Sequence, residues 1–297
     1  MSRPARGVHK DASERTRLTN RALFHRLLGI VRAARQAPGG HCCFTPGDFC
    51  YRWQTEAARD ARPTVRIWTG EGMDRGFAWR SGDDLHLVTL PGAAALHEEM
   101  LGWGETGESR QPLRIPVNER SFDLQRLLAR HGYRPAEPEL IHRVRQLQGI
   151  PAPEPLAPGY RITSVESASQ LEEWAAVYRE AFAPEDMTAG LREWVNQNQL
   201  YRPDLDLVAC DPGGAVVAFA LVWFDGELAG TFEPLGCRPA YRRRGLSRAL
   251  MNEGLRRLRQ LGANQAHVTT VGGRAAANRL YESIGFRVEA ISRTWTR

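Results

Sequence analysis

Three arginines, Arg242 to Arg244, stand directly before Gly245, and a helical pattern of apolar residues begins at Leu246 and continues past Ser247. The first backbone N–H groups of a helix have no partner inside it, and the helix dipole adds partial positive charge at the same end. Gly245 lets the backbone approach a ligand closely because it has no Cβ. A strand, a basic turn and a helix N-terminus in this order predict an anion site that could hold a pyrophosphate.

This turn resembles the pyrophosphate loop of the GNAT acetyltransferases. The family's loop reads Gln/Arg-x-x-Gly-x-Gly/Ala, and Arg242-x-x-Gly245-x-Ser247 matches it except for the serine in the last place. Serine is small and keeps its N–H, so we expect weakened binding at most. The segment from Asn278 to Phe286 is similar to the same family's late helix and turn, and the resemblance covers roughly residues 160 to 297.

The resemblance implies acetyl-CoA as the acyl donor and assigns residues to it. Tyr281 takes the place of the tyrosine that protonates the leaving thiolate, and its alternative is a core aromatic with a satisfied hydroxyl. Glu233 takes the place of a base or water-holding carboxylate, and its alternative is a surface ion pair. Asn278 could touch the pantetheine arm or face solvent. The other residues expected to contact the coenzyme are Leu235, Gly236, Cys237, Arg242, Arg243, Arg244, Gly245, Leu246 and Ser247.

The implied reaction is the transfer of acetyl from acetyl-CoA to a primary amine of a small molecule or peptide by direct attack. It requires the thioester beside the amine, a group that takes the amine proton, and N–H donors for the oxyanion. A splayed strand edge beside the loop can supply those donors. A non-catalytic module that binds acyl-CoA or scaffolds a partner is the alternative, and an arginine-rich nucleic-acid binder is a third reading.

Composition sets outer limits on the function. The chain has 297 residues, is 42% hydrophobic and 25% charged, and carries a formal net charge of +6. No apolar run reaches membrane-spanning length, and the N-terminus lacks the apolar core of a signal peptide, so we expect a cytoplasmic protein with no membrane partner. The basic residues are spread along the chain and almost all are arginine, so nucleic acid is not expected as a partner. We expect a monomer or homodimer.

The cysteines do not predict a metal site. His41, Cys42, Cys43 and Cys50 lie close together, but they form no paired C-x₂-C framework and no second ligand pair follows. Buried free thiols in a reducing compartment are the simpler interpretation. Cys237 lies near the loop without an obvious base, which favours a packing role.

The pattern of elements predicts an α+β fold, an α/β/α sandwich of two tandem GNAT-like domains. Each domain should hold a mixed, mostly antiparallel sheet flanked by helices. We place a disordered N-terminus at 1–12, a first domain at 13–148, a Pro-rich linker at 149–159 and a catalytic domain at 160–297. Within the first domain, 43–53 is predicted as a short strand. In the second, Ser169 and Glu172 are spaced as a capping box.

The two halves could be one fold repeated with an offset of 153 residues, because Gly132-Tyr133 then aligns with Gly285-Phe286 (285 − 132 = 153). Tyr281 pairs with Leu128, which has no proton to give. Only Pro91 and Gly92 separate Leu90 from the next predicted helix, so we expect the coenzyme loop to be absent from the first half. That half is then a degenerate copy that supports the second half and forms a wall of the acceptor pocket. An unrelated α+β domain is the alternative.

Overall fold

The computed structural model describes residues 21–37, 42–59, 64–106, 111–150, 155–183 and 186–297. The elements of the first half are α1 (Arg21–Gln36), α2 (Pro46–Arg59), β1 (Thr64–Gly70), β2 (Met73–Ser81), β3 (Asp84–Thr89), α3 (Leu96–Glu105), β4 (Ile115–Asn118), α4 (Phe122–Arg130) and β5 (Arg134–Gln146). Those of the second half are β6 (Arg161–Ser164), α5 (Ala168–Phe182), α6 (Ala189–Asn196), β7 (Asp206–Cys210), β8 (Val216–Phe224), β9 (Ala229–Cys237), α7 (Leu246–Gln260), β10 (Gln265–Val271), α8 (Ala275–Ser283) and β11 (Arg287–Thr296).

The sheets do not divide at the middle of the chain. An eight-stranded sheet has the order β4-β11-β5-β10-β9-β8-β7-β6, and β1-β2-β3 form a second sheet. Strand β5 of the first half lies between β10 and β11 and is antiparallel to both. Strand β11 of the second half lies between β4 and β5 of the first. Each half therefore inserts its last strand into the sheet of the other.

This exchange follows the predicted repeat. The offset of 153 relates the first residues of β5 and β11 (287 − 134 = 153) and those of α4 and α8 (275 − 122 = 153). The matched strands β5 and β11 pair with each other, from Arg134 with Thr296 to Val144 with Arg287. The expected α+β fold is confirmed, and the two halves are joined through their last strands.

The hydrophobic core is also shared between the halves. Phe49 and Trp53 of α2 are fully buried in one cluster with Trp174 of α5 and Phe219 of β8. On the other face of the large sheet, α7 buries one apolar stripe, which includes Leu250, against strands β7 to β9. This packing places α2 of the first half and α7 of the second on opposite sides of β9. No described helix is long and apolar enough to cross a membrane.

Two local predictions are wrong. The strand predicted at 43–53 is instead the start of α2, because Thr45 and Asp48 cap a helix there. The Asp48 N–H donates to Thr45 Oγ1 (3.0 Å), the Thr45 N–H donates to Asp48 Oδ2 (3.1 Å), and Pro46 takes the first helical position. Helix α5 is capped by Ser167, whose Oγ accepts the N–H of Gln170, and not by Ser169.

The predicted domain boundaries are only partly within the described residues. The N-terminal segment 1–12 lies outside them, and so do 151–154 of the proposed linker. A division into 13–148 and 160–297 stays a prediction. The large sheet crosses it, since β4 and β5 precede the linker and the other six strands follow it.

Candidate functional site

Strands β9 and β10 form a fork. They pair in parallel from Ala229 with Gln265 to Phe232 with Val268, and then separate. Beyond that point β9 pairs only with β8, through a register shift opposite Leu221, while β10 pairs only with β5. Among the described strands, none fills the gap between the two arms. Backbone groups of 235–237 on that side therefore face the gap, where a splayed strand edge was expected.

The basic turn opens onto this fork. Gly245 is the N-cap of α7 and adopts φ 79°, a left-handed conformation that favours glycine, and Arg243 adopts φ 64°. No side chain caps the helix. The N–H groups of its first turn therefore remain for an anion, and the helix dipole favours negative charge there.

A cleft of about 960 Å³ runs from the turn to the fork. Nine of the residues predicted from the sequence line it: Leu235, Gly236, Cys237, Arg242, Arg243, Gly245, Leu246, Ser247 and Tyr281. The structure thus brings together residues from β9, the turn, α7 and α8.

Three predicted residues do not line the cleft. Arg244 turns away, with Nη1 donating to the Tyr160 hydroxyl (2.8 Å). Asn278 donates from Nδ2 to the Gly272 carbonyl (2.8 Å), so its amide holds the turn before α8. Glu233 is half-buried on β9, where its backbone carbonyl accepts the indole N–H of Trp223 (2.7 Å).

Tyr281 is placed to keep its proton. It is 6% exposed, and its ring packs edge-on against Phe286 at 6.2 Å between centroids. Burial raises the pKa of its hydroxyl, and the negative charge of Glu233 raises it further, against the opposing effect of Arg143 and Arg274. The hydroxyl is therefore protonated at neutral pH, and a carboxylate lies close enough to influence it.

Several residues of the cleft were not predicted. Arg274 is the N-cap of α8 and lies over the ring of Phe182, 5.5 Å from its centroid. The small residues Ala275 to Ala277 follow, so a second uncapped helix N-terminus faces the same cleft. The sequence signal that could have indicated this helix N-terminus is the run Gly272-Gly273-Arg274 before three alanines. Phe182 lies at the end of α5, and no pattern in the sequence marks it as a residue of the cleft.

The other face of the fork carries a buried polar network supplied by both halves. Thr231 of β9 donates to Thr45 Oγ1 (2.9 Å), and Thr269 of β10 donates to Asp48 Oδ2 (3.5 Å). His142 of β5 contacts Thr269 Oγ1 through Nδ1 (3.1 Å) and Ser292 Oγ through Nε2 (2.6 Å). Burial lowers the pKa of His142 to about 4, so the ring is neutral at pH 7.

The metal interpretation gains no support from the geometry. Cys42, Cys43 and Cys50 are free thiols, and His41 lies outside the described residues. Within the part of the chain that is described, no three His, Cys, Asp or Glu side chains are grouped to hold a metal ion.

Comparisons with known proteins agree with this geometry. Residues 168–286 match the model of the acetyltransferase (GNAT) family. A mycothiol acetyltransferase of Geodermatophilus obscurus is 28% identical over 298 residues, which cover 91% of this chain and 93% of that relative. A second mycothiol acetyltransferase, of Nocardiopsis dassonvillei, is 32% identical over 249 residues, which cover 77% of this chain and 63% of that relative.

Two solved structures share the fold. A GCN5-related N-acetyltransferase from Sphaerobacter thermophilus aligns with a TM-score of 0.64 at 19% identity, over 93% of this chain and 91% of its own. A tandem GNAT protein from the clavulanic acid biosynthesis pathway aligns with a TM-score of 0.65 at 13% identity, over 94% of this chain and 96% of its own. Fold, cleft and relatives together define an N-acetyltransferase. Residues 168–286 of the chain belong to the acetyltransferase (GNAT) family.

Proposed function

We propose that the protein transfers acetyl from acetyl-CoA to a primary amine of a small molecule or peptide. The observation that most supports this proposal is that the left-handed turn at Gly245 and the side chain of Tyr281 line one cleft. This cleft ends at the fork between β9 and β10. The pyrophosphate then lies on the first N–H groups of α7, and the pantetheine arm follows Leu235 to Cys237 into the fork.

The reaction follows from the groups at the fork. The amine nitrogen attacks the thioester carbonyl, a C–N bond forms, and the C–S bond breaks. Backbone N–H groups of β9 that face the gap stabilise the oxyanion. Glu233 takes the amine proton, directly or through a water, and Tyr281 gives its proton to the leaving thiolate. The nearby charge of Glu233 keeps Tyr281 protonated until the thiolate forms.

The first half contributes the acceptor side. Helix α2 packs against β9 on the face opposite α7, Thr45 accepts a hydrogen bond from Thr231 of β9, and Asp48 accepts one from Thr269 of β10. An amine that approaches from this face meets Glu233 before the thioester. The relatives named mycothiol acetyltransferase make desacetyl-mycothiol the first acceptor to test within a panel of primary amines.

Calorimetric titration with acetyl-CoA and with CoA tests the donor site. Gly245→Glu should abolish binding at the cleft, because it adds a carboxylate and forces a side chain onto φ 79°. Gly262→Glu is a matched control, since Gly262 has φ 92° at the opposite end of α7 and an added Cβ would meet nothing within 4 Å. Equal affinity in both variants would place the coenzyme elsewhere. Thiol release with the amine panel then tests the transfer itself.

A further inference from the structure

A buried arginine of the first half lies beneath the candidate acid. Arg143 belongs to β5 and is 2% exposed. It pairs in register with Val268 of β10, and Val268 packs in the same hydrophobic cluster as Tyr281. Residues directly opposite each other on adjacent strands have their side chains on the same face of the sheet. The Arg143 side chain therefore lies on the cleft side of the large sheet, under α8, while that of His142 lies on the other face with Thr269.

Along the strands, Arg143 lies at the level of the fork. Its partner Val268 is also the residue of β10 that pairs with Phe232 of β9, and the two arms separate directly after this pair. Adjacent strands lie about 4.8 Å apart, so the backbone of Arg143 is roughly 10 Å, two strand spacings, from β9 at this level. The proposed reaction takes place just beyond the point of separation, where Glu233 follows Phe232.

The charge of Arg143 is only weakly compensated by its surroundings. Its Nη2 lies 3.5 Å from Glu282 Oε1, and the Glu282 side chain is 60% exposed, so water screens this partner. Nε and Nη1 of Arg143 are buried and have no hydrogen-bond partner among the described residues. A buried guanidinium with so little compensation acts strongly on other charges near it, because the protein interior screens less than water does.

Tyr281 is the group on which this charge can act, since Glu282, which contacts Arg143, is the next residue of α8. Burial and the negative charge of Glu233 raise the pKa of the Tyr281 hydroxyl, and the positive charges of Arg143 and Arg274 oppose them. Arg274 lines the cleft and can contact the coenzyme itself, whereas Arg143 lies behind the lining. Arg143 can therefore influence the reaction only through Tyr281.

We propose that Arg143 is a positioning residue for the acetyl transfer, and that it stabilises the negative charge that appears on Tyr281 when its proton goes to the leaving thiolate. This inference rests on the proposed function. In that reaction the amine proton moves to Glu233 and the Tyr281 proton moves to the coenzyme sulfur, so one unit of negative charge passes from Glu233 to Tyr281. Return of the proton from Glu233 to Tyr281 through solvent restores the starting state. The first half thus supplies a charge to the reaction from β5.

The pKa of the phenol at position 281 is the direct measurement. Difluorotyrosine incorporated there in the full chain is more acidic than tyrosine, so absorbance can follow its titration whether or not acetyl is transferred. Arg143→Met should raise this pKa by about one unit or more, because the charge that favours the phenolate is removed, and Arg143→Lys should restore most of the shift. Arg145→Met is the matched control and should leave the pKa unchanged. Arg145 lies on the same face of β5 and donates to the Ile284 carbonyl, but its charge does not act on Tyr281.

Steady-state kinetics test the effect on turnover. Arg143→Met should lower kcat by about 3–30-fold at unchanged acetyl-CoA affinity, because a weaker acid donates its proton more slowly. Glu282→Gln removes the ion pair and keeps the guanidinium charge, so kcat should be unchanged. When Tyr281→Phe is already present, Arg143→Met should cause no further loss, because there is no phenolate to stabilise.

Equal pKa values at position 281 in Arg143→Met and Arg145→Met would overturn the proposal. So would a loss of kcat from Arg143→Met that is as large without the Tyr281 hydroxyl as with it, since the arginine would then be structural. Arg143→Gln is the second neutral variant if the methionine variant shows no cooperative urea transition. Normal acetyl transfer with an unmoved pKa would overturn this inference alone. No transfer to any amine, with the pKa shifted as expected, would overturn the proposed function and leave the coupling of Arg143 to Tyr281 supported.

Discussion

Gly47 fixes how closely the first half approaches the fork. It lies in the first turn of α2, where an added Cβ would sit 2.5 Å from Thr231 Cβ and 2.8 Å from Trp223 Cβ. Carbon atoms pack at about 3.5–4.0 Å, so Gly47→Ala must move α2 away from β9 by roughly 1 Å. Overpacking of this kind costs about 1–3 kcal/mol of folding free energy.

Gly29→Ala is the matched control. Gly29 lies within α1, is exposed, and would meet nothing within 4 Å as alanine. Alanine in a helix interior is more favourable than glycine by roughly 0.5–1 kcal/mol, so this variant should be slightly stabilised. The two variants make the same chemical change. Gly47→Ala should lower the free energy of unfolding and Gly29→Ala should raise it, so the two values should differ by roughly 1.5–4 kcal/mol.

Urea denaturation and steady-state kinetics measure the two effects. Moving α2 also moves Thr45 and Asp48, which bond to β9 through Thr231 and to β10 through Thr269. Gly47→Ala should therefore lower kcat/KM for the amine more than it changes acetyl-CoA affinity, because the coenzyme turn lies on the opposite face. If both variants unfold at the same urea concentration, α2 does not pack on β9 as described.

Three further outcomes are expected. Tyr281→Phe should lower kcat by about 10²-fold, the general-acid contribution, with unchanged acetyl-CoA affinity in calorimetry; an unaltered kcat would leave the ring a core aromatic. Arg192→Met should cost about 3–5 kcal/mol in urea denaturation, because the fully buried Asp206 loses its ion-pair partner, and adding Asp206→Leu should recover most of it. Burial raises the pKa of Glu56 to about 7, so stability from this group is complete below the unfolded pKa of about 4.3 and is lost as the pH rises towards 7. Glu56→Gln should remove about 3 kcal/mol of that decline between pH 4 and pH 8.

The coenzyme turn was predictable because its elements are contiguous. The segment from Arg242 to Ser247 spans six residues. Three local features of it indicate an anion site: the positive charge of the arginines, the left-handed conformation that glycine permits, and a helix N-terminus. Tyr281 was predicted by resemblance; the structure places it in the lining of the cleft, and its role in catalysis is a proposal. By contrast, Phe182 reaches the cleft from the end of α5, and no local pattern in the sequence marks a residue brought in by packing.

Helix α2 was missed because a short apolar run fits a strand as well as a buried helix. The decisive signal was present in Thr45-Pro46-x-Asp48, a capping box with proline at the first helical position.

The exchange of β5 and β11 could not be read from the sequence, because the residues of a strand do not mark which half of the chain supplies the neighbouring strands. If residues 160–297 stood alone, β10 would lose its partner strand β5 beside Thr269, in the part of β10 that separates from β9. His142 and its bonds to Thr269 and Ser292 would be lost with β5. The eight-stranded sheet is therefore complete only when both halves are present.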